Sequence, residues 1–330
     1  MNVHRWDPKL EEVLRYIQWP CIVTSVEDWD MWGRLKAEFP FLLIHRPILN
    51  GNNADNKEVE PSVLVNYVRD HTPKDIVDVV QGYNELIIND EPTQIEREFW
   101  FARAVQDSGF AAISMCTPVG NVEAVHIPVL MPLIRESVYI GYGGYVKPGS
   151  TFIDTVHEPY WLRRPELIWA PEIERQGMPR EEFLKKLIFR ETGTYYGWGG
   201  QCTPTEYGEL LATIDLYARI IGAKTSPFTL TAHEPWRTQT PFEFIDYQDT
   251  LDALREYRQE VNLMAIEYGF PGVYDGFNTL ADRLGHEVVG EPLHVARYVG
   301  GDLAYQLTTA GTLVAVKLDN GEWISRFIGG

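Results

Sequence analysis

Through the first 235 residues, short runs rich in β-branched and aromatic side chains alternate with longer segments whose apolar positions recur at helical spacing. The runs fall at Asn2–Trp6, Cys21–Val26, Phe41–Arg46, Ile76–Gly82, Ala111–Met115, Ser137–Tyr142, Leu187–Glu191 and Pro227–Thr231; the first is weak, being short and carrying His4 and Arg5. Between them the pattern predicts helices at Pro8–Ile17, Trp29–Glu38, Pro61–His71, Thr93–Ser108, Val125–Arg135, a split pair around Pro159–Leu167 and Arg180–Lys186, and Pro204–Ile221. Asp7-Pro8 and Glu60-Pro61 set Pro at a first helical position, and Thr203-Pro204 precedes Glu206. Eight strands alternating with helices predict an α/β fold, a (β/α)8 TIM barrel. An open dinucleotide-binding sheet is disfavoured, because the first turn, Trp6-Asp7-Pro8, holds no Gly. Gly141-Tyr142-Gly143-Gly144 and Gly197-Trp198-Gly199-Gly200 read as mobile loops beyond the sixth and seventh strands.

After Trp236 the pattern changes. Phe242–Tyr268 reads as the eighth barrel helix with an extension, followed by the link Gly269-Phe270-Pro271-Gly272 and a short helix at Phe277–Leu284. Alternating runs at Leu303–Leu307, Thr312–Lys317 and Trp323–Phe327 follow, and Asn320-Gly321 between the last two is a hairpin signal. The expected organisation is therefore a barrel over 1–268 and, over 269–330, a linker, a short helix and a β appendage too small to hold a large core alone.

Composition narrows the function. The chain has 29 basic and 47 acidic side chains, a formal net charge of −18, and no Lys/Arg block. Nucleic acid and anionic membrane are therefore not expected partners, since phosphate is bound by cationic side chains that release counterions. No apolar stretch is long enough for a transmembrane helix. The N-terminal MNVHRWDPKLEE lacks the form of a secretory signal, so the expected location is the cytoplasm or a phage or virion particle. Cys21, Cys116 and Cys202 lack metal or CxxC spacing and read as reduced core thiols. With 10 Trp, 17 Tyr and 14 Phe, many beside Gly, Pro or His, the loops have flat faces suited to a neutral polar ligand such as sugar.

In a barrel of this kind the reacting groups stand at the C-terminal ends of strands. The fourth run ends in Gln81-Gly82-Tyr83-Asn84-Glu85 and the seventh in Arg190-Glu191-Thr192-Gly193, which would set two carboxylates at one mouth. Glycoside hydrolysis needs such a pair: one protonates the leaving oxygen, the other attacks the anomeric carbon or activates water. The order Asn84-Glu85 on strand four and Glu191 on strand seven resembles the clan of retaining glycosidases that includes many β-glycanases. With Tyr83 and the later Gly197-Trp198, the chain is similar to glycosidase-like barrel modules of bacterial and phage proteins, some linked to cell-wall degradation. The resemblance implies Glu85 as acid/base, Glu191 as nucleophile and Asn84 on the sugar hydroxyl beside the anomeric carbon. It further implies Tyr142 as the tyrosine that holds the nucleophile and Trp236 as a stacking surface. Trp198, in its Gly-rich loop, reads as a subsite wall. The chain departs from the commoner Asn-Glu-Pro in having Leu86. Alternation along a strand would point Arg190 away from Glu191, which leaves Arg46, ending strand three, as the expected partner of the ionised nucleophile. A retaining reaction would set the carboxyl groups about 5–5.5 Å apart, and an inverting one roughly 6.5–9.5 Å.

Two other functions compete. His4, His45, His157 and His233 fall near strand ends, but neither His4-Arg5-Trp6 nor His233-Glu234-Pro235 has metal-hydrolase spacing, so no metal and no cofactor are expected. A barrel that binds carbohydrate without cleaving it, as a virion or surface component, is the alternative reading. Gly290-Glu291-Pro292-Leu293 and the strands after it resemble small repeats appended to cell-wall-associated enzymes, which implies contact with protein or cell wall through the appendage.

Overall fold

The computed structural model describes residues 1–49, 56, 58–85, 92–118, 120–146, 162–194, 202–232, 243–264, 284, 288, 297–299, 303–308, 311–317 and 323–329. Eight strands, β1 (Asn2–Val3), β2 (Cys21–Thr24), β3 (Leu42–His45), β4 (Val79–Gln81), β5 (Ala111–Thr117), β6 (Tyr139–Val146), β7 (Leu187–Thr194) and β8 (Lys224–Pro227), form a parallel sheet in sequence order. The ring closes just beyond β8, where Thr231 bridges Val3, His4 N–H donates to the Thr231 carbonyl (3.0 Å) and Leu230 N–H to the Asn2 carbonyl (2.9 Å). This is the predicted (β/α)8 barrel.

The helices described are α1 (Leu10–Ile17), α2 (Trp29–Glu38), α3 (Pro61–His71), α4 (Pro92–Asp107), α5 (Ile127–Glu136), α6 (Ala170–Arg175), α7 (Arg180–Lys186), α8 (Pro204–Ile220) and α9 (Gln248–Met264). Their starts follow local chemistry. Asp28 accepts from the Met31 N–H at the head of α2, and Thr203 and Glu206 exchange bonds as a capping box at the head of α8. Among the described residues, no helix is long and apolar enough to cross a membrane.

Inside the ring, Cys21, Val23, Ile44, Val79, Ile113, Cys116 and Ile188 make a packed apolar floor, with side chains alternating inward as a barrel requires. Burial pushes the Cys21 thiol up to about 11, as befits a core sulfur. Three expectations need correction. The eighth strand is Lys224–Pro227 rather than Pro227–Thr231. Its polar residues are buried because the barrel satisfies them: Thr225 donates to Asp215 of α8, and the Ser226 carbonyl accepts from the Asn2 amide. The stretch Gly141–Gly144 lies within β6, not in a loop. A Cβ on Gly141 would stand 2.6 Å from Cys116 Sγ, and one on Gly144 2.8 Å from Phe189 Cδ1, so these glycines permit close strand packing. The first half of the split helix is a π turn, Pro165–Trp169, leading into α6.

A second compact unit begins at Glu256, within α9, where the sequence reading draws the boundary at 268–269. It holds an antiparallel sheet in the order β12 (Trp323–Gly329), β11 (Gly311–Lys317), β10 (Leu303–Thr308) and β9 (Arg297–Val299). Thr308 opposite Gly311 and Lys317 opposite Trp323 fix the two hairpin registers, and Leu313 is buried. Strand β9 adds to the three predicted runs. The Phe277–Leu284 helix and the Asn320-Gly321 turn lie outside the described residues, Leu284 excepted.

Candidate active site

Glu191 is buried on β7, and its setting depends on a break in strand alternation. Against β6, Phe189 pairs with Tyr142 and Glu191 with Gly143, so Arg190 is an extra residue on β7. Against β8 the same two residues, Arg190 and Glu191, stand opposite Ser226 alone. A β-bulge of this kind points consecutive side chains to the same side. Arg190 therefore does not face away: its Nη1 donates to Glu191 Oε1, and its Nη2 lies 3.4 Å from the Cys116 carbonyl. This corrects the expectation from alternation. Arg46, just past β3, sets its own Nη1 3.2 Å from the same Oε1, and the Tyr145 hydroxyl donates to Oε2 at 2.9 Å. The bulge is pinned from behind, where Asn2 Nδ2 donates to the Arg190 carbonyl at 2.6 Å.

These partners decide the ionisation. Burial would raise the Glu191 pKa, but the charges of Arg190 and Arg46, with smaller contributions from His4 and the Tyr145 hydroxyl, lower it to about 2. Burial and the neighbouring carboxylate push the Tyr145 hydroxyl well above its usual range, so it remains a donor. Arg190 is buried, which alone would lower its pKa, yet the carboxylates of Glu191 and Glu85 hold it above normal. Arg190 is thus acted on by both predicted acids.

Tyr142 does not take the place expected of it. Its ring is wholly buried, edge-on to Trp169 at 5.1 Å and to Phe189 at 6.1 Å, and its hydroxyl accepts from the Gly120 N–H at 3.3 Å. The hydroxyl that reaches Glu191 belongs to Tyr145, three residues on. Strand β6 continues to Val146, and alternation sends Gly141, Gly143 and Tyr145 inward while Tyr142 and Gly144 face the helices.

After β4 the chain turns through Gly82 to Glu85. Tyr83 anchors this turn, its hydroxyl donating to the Val59 carbonyl at 3.0 Å and its ring edge-on to Phe101 of α4 at 5.7 Å. Gln81 Nε2 donates to Asn84 Oδ1 at 3.2 Å, fixing an otherwise buried Asn84. Glu85 is half-buried with φ of 52°, in the left-handed region where a residue with a Cβ is uncommon. His4 lies near Glu191 and packs edge-on to Phe228 at 5.9 Å. His45 is buried with its ring between Thr72 Oγ1 (2.9 Å) and Glu27 Oε1 (3.2 Å). Among the described residues, no group of three or more His, Cys, Asp or Glu side chains is arranged to hold a metal ion. His157, His233, Trp198 and Trp236 lie outside the described residues.

The structure thus brings Arg46, Arg190, Tyr145 and Glu191 together at one end of a parallel eight-stranded barrel, with Glu85 near enough to act on Arg190. Sequence reasoning passed over Tyr145 and set Arg190 aside. Inward alternation from Gly141 was the signal for the first. Nothing in the residue pattern marks the bulge that decides the second.

The fold is a parallel eight-stranded (β/α)8 barrel with a buried charged cluster at one end. No protein-family model matches the chain, and no curated protein matches it in sequence. Among solved structures it is similar to a glucosidase from Croceicoccus marinus, with a TM-score of 0.55 and 12% identity over 97% of this chain and 76% of that one. Two further similar structures are active domain 2 of a thermostable chitinase from Pyrococcus furiosus (TM-score 0.49, 9% identity, 82% and 96% covered) and a GH128 endo-β-1,3-glucanase from Sorangium cellulosum (TM-score 0.45, 14% identity, 74% and 94% covered). At these identities the likeness is one of fold. The resemblance to glycoside hydrolase barrels holds at that level.

Proposed function

We propose that the chain is a retaining glycoside hydrolase acting on a poly- or oligosaccharide, with Glu191 as nucleophile and Glu85 as acid/base. The observation that supports it most is the state of Glu191: buried, yet kept ionised by two guanidinium groups and a tyrosine hydroxyl. A carboxylate that attacks an anomeric carbon must carry its charge in a site that excludes water. In this reading Glu191 attacks the anomeric carbon while Glu85 gives its proton to the leaving oxygen. Glu85 then takes a proton from the water that releases the sugar from Glu191. The Tyr145 hydroxyl and the two arginines orient the nucleophile, and Asn84 meets the hydroxyl beside the anomeric carbon. Tyr142, being fully buried, drops out of the ligand-binding set. Trp198 and Trp236 complete the proposal as faces on which sugar rings stack. A glucosidase is similar in fold, and the sequence resembles β-glycanases and cell-wall-degrading modules, so β-glucosides, β-glucans and bacterial cell-wall glycan make a rational first panel.

The test is hydrolysis of that panel by the wild-type chain and by Glu85→Gln and Glu191→Gln, with the product anomer followed by NMR. The expected outcome is turnover with retained configuration, lowered at least about 100-fold by either substitution. Binding without turnover on every glycan would instead make the chain a carbohydrate-binding barrel.

A further inference from the structure

Behind the site, between the barrel wall and α4, lies a carboxylate that the mechanism does not use. Glu98 of α4 is buried, and its Oε2 accepts from the Met115 backbone N–H at 2.6 Å. Its other oxygen is buried without a hydrogen bond. Met115 sits in a second bulge: Ser114 pairs with Ile140 and Thr117 with Tyr142, so Met115 and Cys116 stand opposite Gly141 alone. Met115 has φ of 56°, a backbone conformation that is sterically costly for a residue with a Cβ and needs support from its surroundings. Glu98 supplies that support from outside the wall. The next residue, Cys116, turns its carbonyl toward Arg190 Nη2, and Arg190 Nη1 meets Glu191. Gly141 leaves the room for this, since a Cβ there would stand 2.6 Å from Cys116 Sγ and 3.3 Å from Arg190 Cδ.

We propose that Glu98 is a positioning residue for this site: it holds the Met115 bulge, and through the Cys116 carbonyl it sets where Arg190 stands against Glu191. The proposal rests on the reading of Glu191 as nucleophile only for its bearing on catalysis; the coupling itself is a property of the folded chain. Arg190 of β7 and Cys116 of β5 are the charged and titratable groups that act with Glu98 across the wall. Burial, opposed by the Met115 N–H and Arg190, lifts the Glu98 pKa to about 7, in keeping with a group held there by geometry rather than by solvent.

Three substitutions separate the position of the acceptor from the chemistry of the group. Glu98→Gln keeps an acceptor for the Met115 N–H, Glu98→Asp keeps the carboxyl group but withdraws it from that N–H, and Glu98→Leu removes the polar group altogether. The readout is the Glu191 carboxyl titration in ¹³C-glutamate-labelled protein, with its resonance assigned by Glu191→Gln. Positioning predicts that Asp and Leu raise the Glu191 midpoint by about one pH unit or more, while Gln leaves it where it is. Should Leu fail to fold, Asp alone decides. An unchanged midpoint in Asp, or a shift in Gln equal to that in Asp, would overturn the proposal. Because this titration needs no substrate, a wild-type chain inert on every glycan would sink the proposed activity and leave the coupling standing.

Discussion

A carboxylate enclosed by two guanidinium groups takes its charge from its neighbours rather than from bulk water. With a folded pKa of about 2 against an ordinary 4.5, Glu191 stabilises the fold above pH 4.5, and that contribution is lost as pH falls toward 2. Arg190→Met leaves this buried charge short of a partner; the expected cost is about 3–5 kcal/mol at neutral pH, with acid unfolding moved to higher pH, both read by denaturant titration across pH. Arg190→Lys should recover only part, since an ammonium supplies charge without the planar fork that reaches both Glu191 and Cys116. Glu98 has the opposite sign. Its folded pKa of about 7 lies above the ordinary 4.5, so its contribution to stability is full below 4.5 and declines as pH rises to 7. Glu98→Gln removes that decline: relative to wild type it should gain on the order of 3 kcal/mol between pH 4.5 and 8, measured in the same titrations. Tyr145→Phe should raise the Glu191 pKa and lower turnover, whereas Tyr142→Phe, whose hydroxyl bonds the Gly120 N–H, should leave both unchanged.

The elements that carry the site are bulged strands flanking a glycine-rich one. Gly141→Ala tests that packing, because the new methyl would press on Cys116 and Arg190; the expected loss is about 1–3 kcal/mol in thermal or denaturant unfolding. Much of the element order was legible, for a physical reason. Buried strands need apolar runs and helices need caps, so α2, from Trp29 to Glu38, and α3, from Pro61 to His71, end where the residues say they should. The eighth strand was displaced because Lys-Thr-Ser-Pro carries no apolar signal; its burial depends on Asp215 and Asn2, which only the closed barrel brings near. The glycines of β6 looked like a loop because their reason is the neighbouring strand, over which sequence distance says nothing. Arg190 was misdirected by the same limit. Alternation is a property of an unbroken strand, and a bulge changes which face a residue shows without changing the residue.

Over the whole molecule, the net charge of −18 and a sequence pI near 4.9 predict a solubility minimum close to pH 4.9 and no retention on double-stranded DNA at about 0.15 M salt, both simple to measure. The acid limb of any activity profile should therefore be followed at low protein concentration. The barrel itself is a ring closed through a short strand: β1 is two residues long, and it meets the far side through the Val3–Thr231 bridge, the amides of His4 and Leu230, and side-chain hydrogen bonds of Asn2, Thr229 and Thr231. Asn2, in that same short strand, is what grips the Arg190 carbonyl. Opening the seam should therefore loosen the charged cluster as well. A saccharide that tightens the cluster should slow amide hydrogen exchange at His4 and Leu230, where the ring closes.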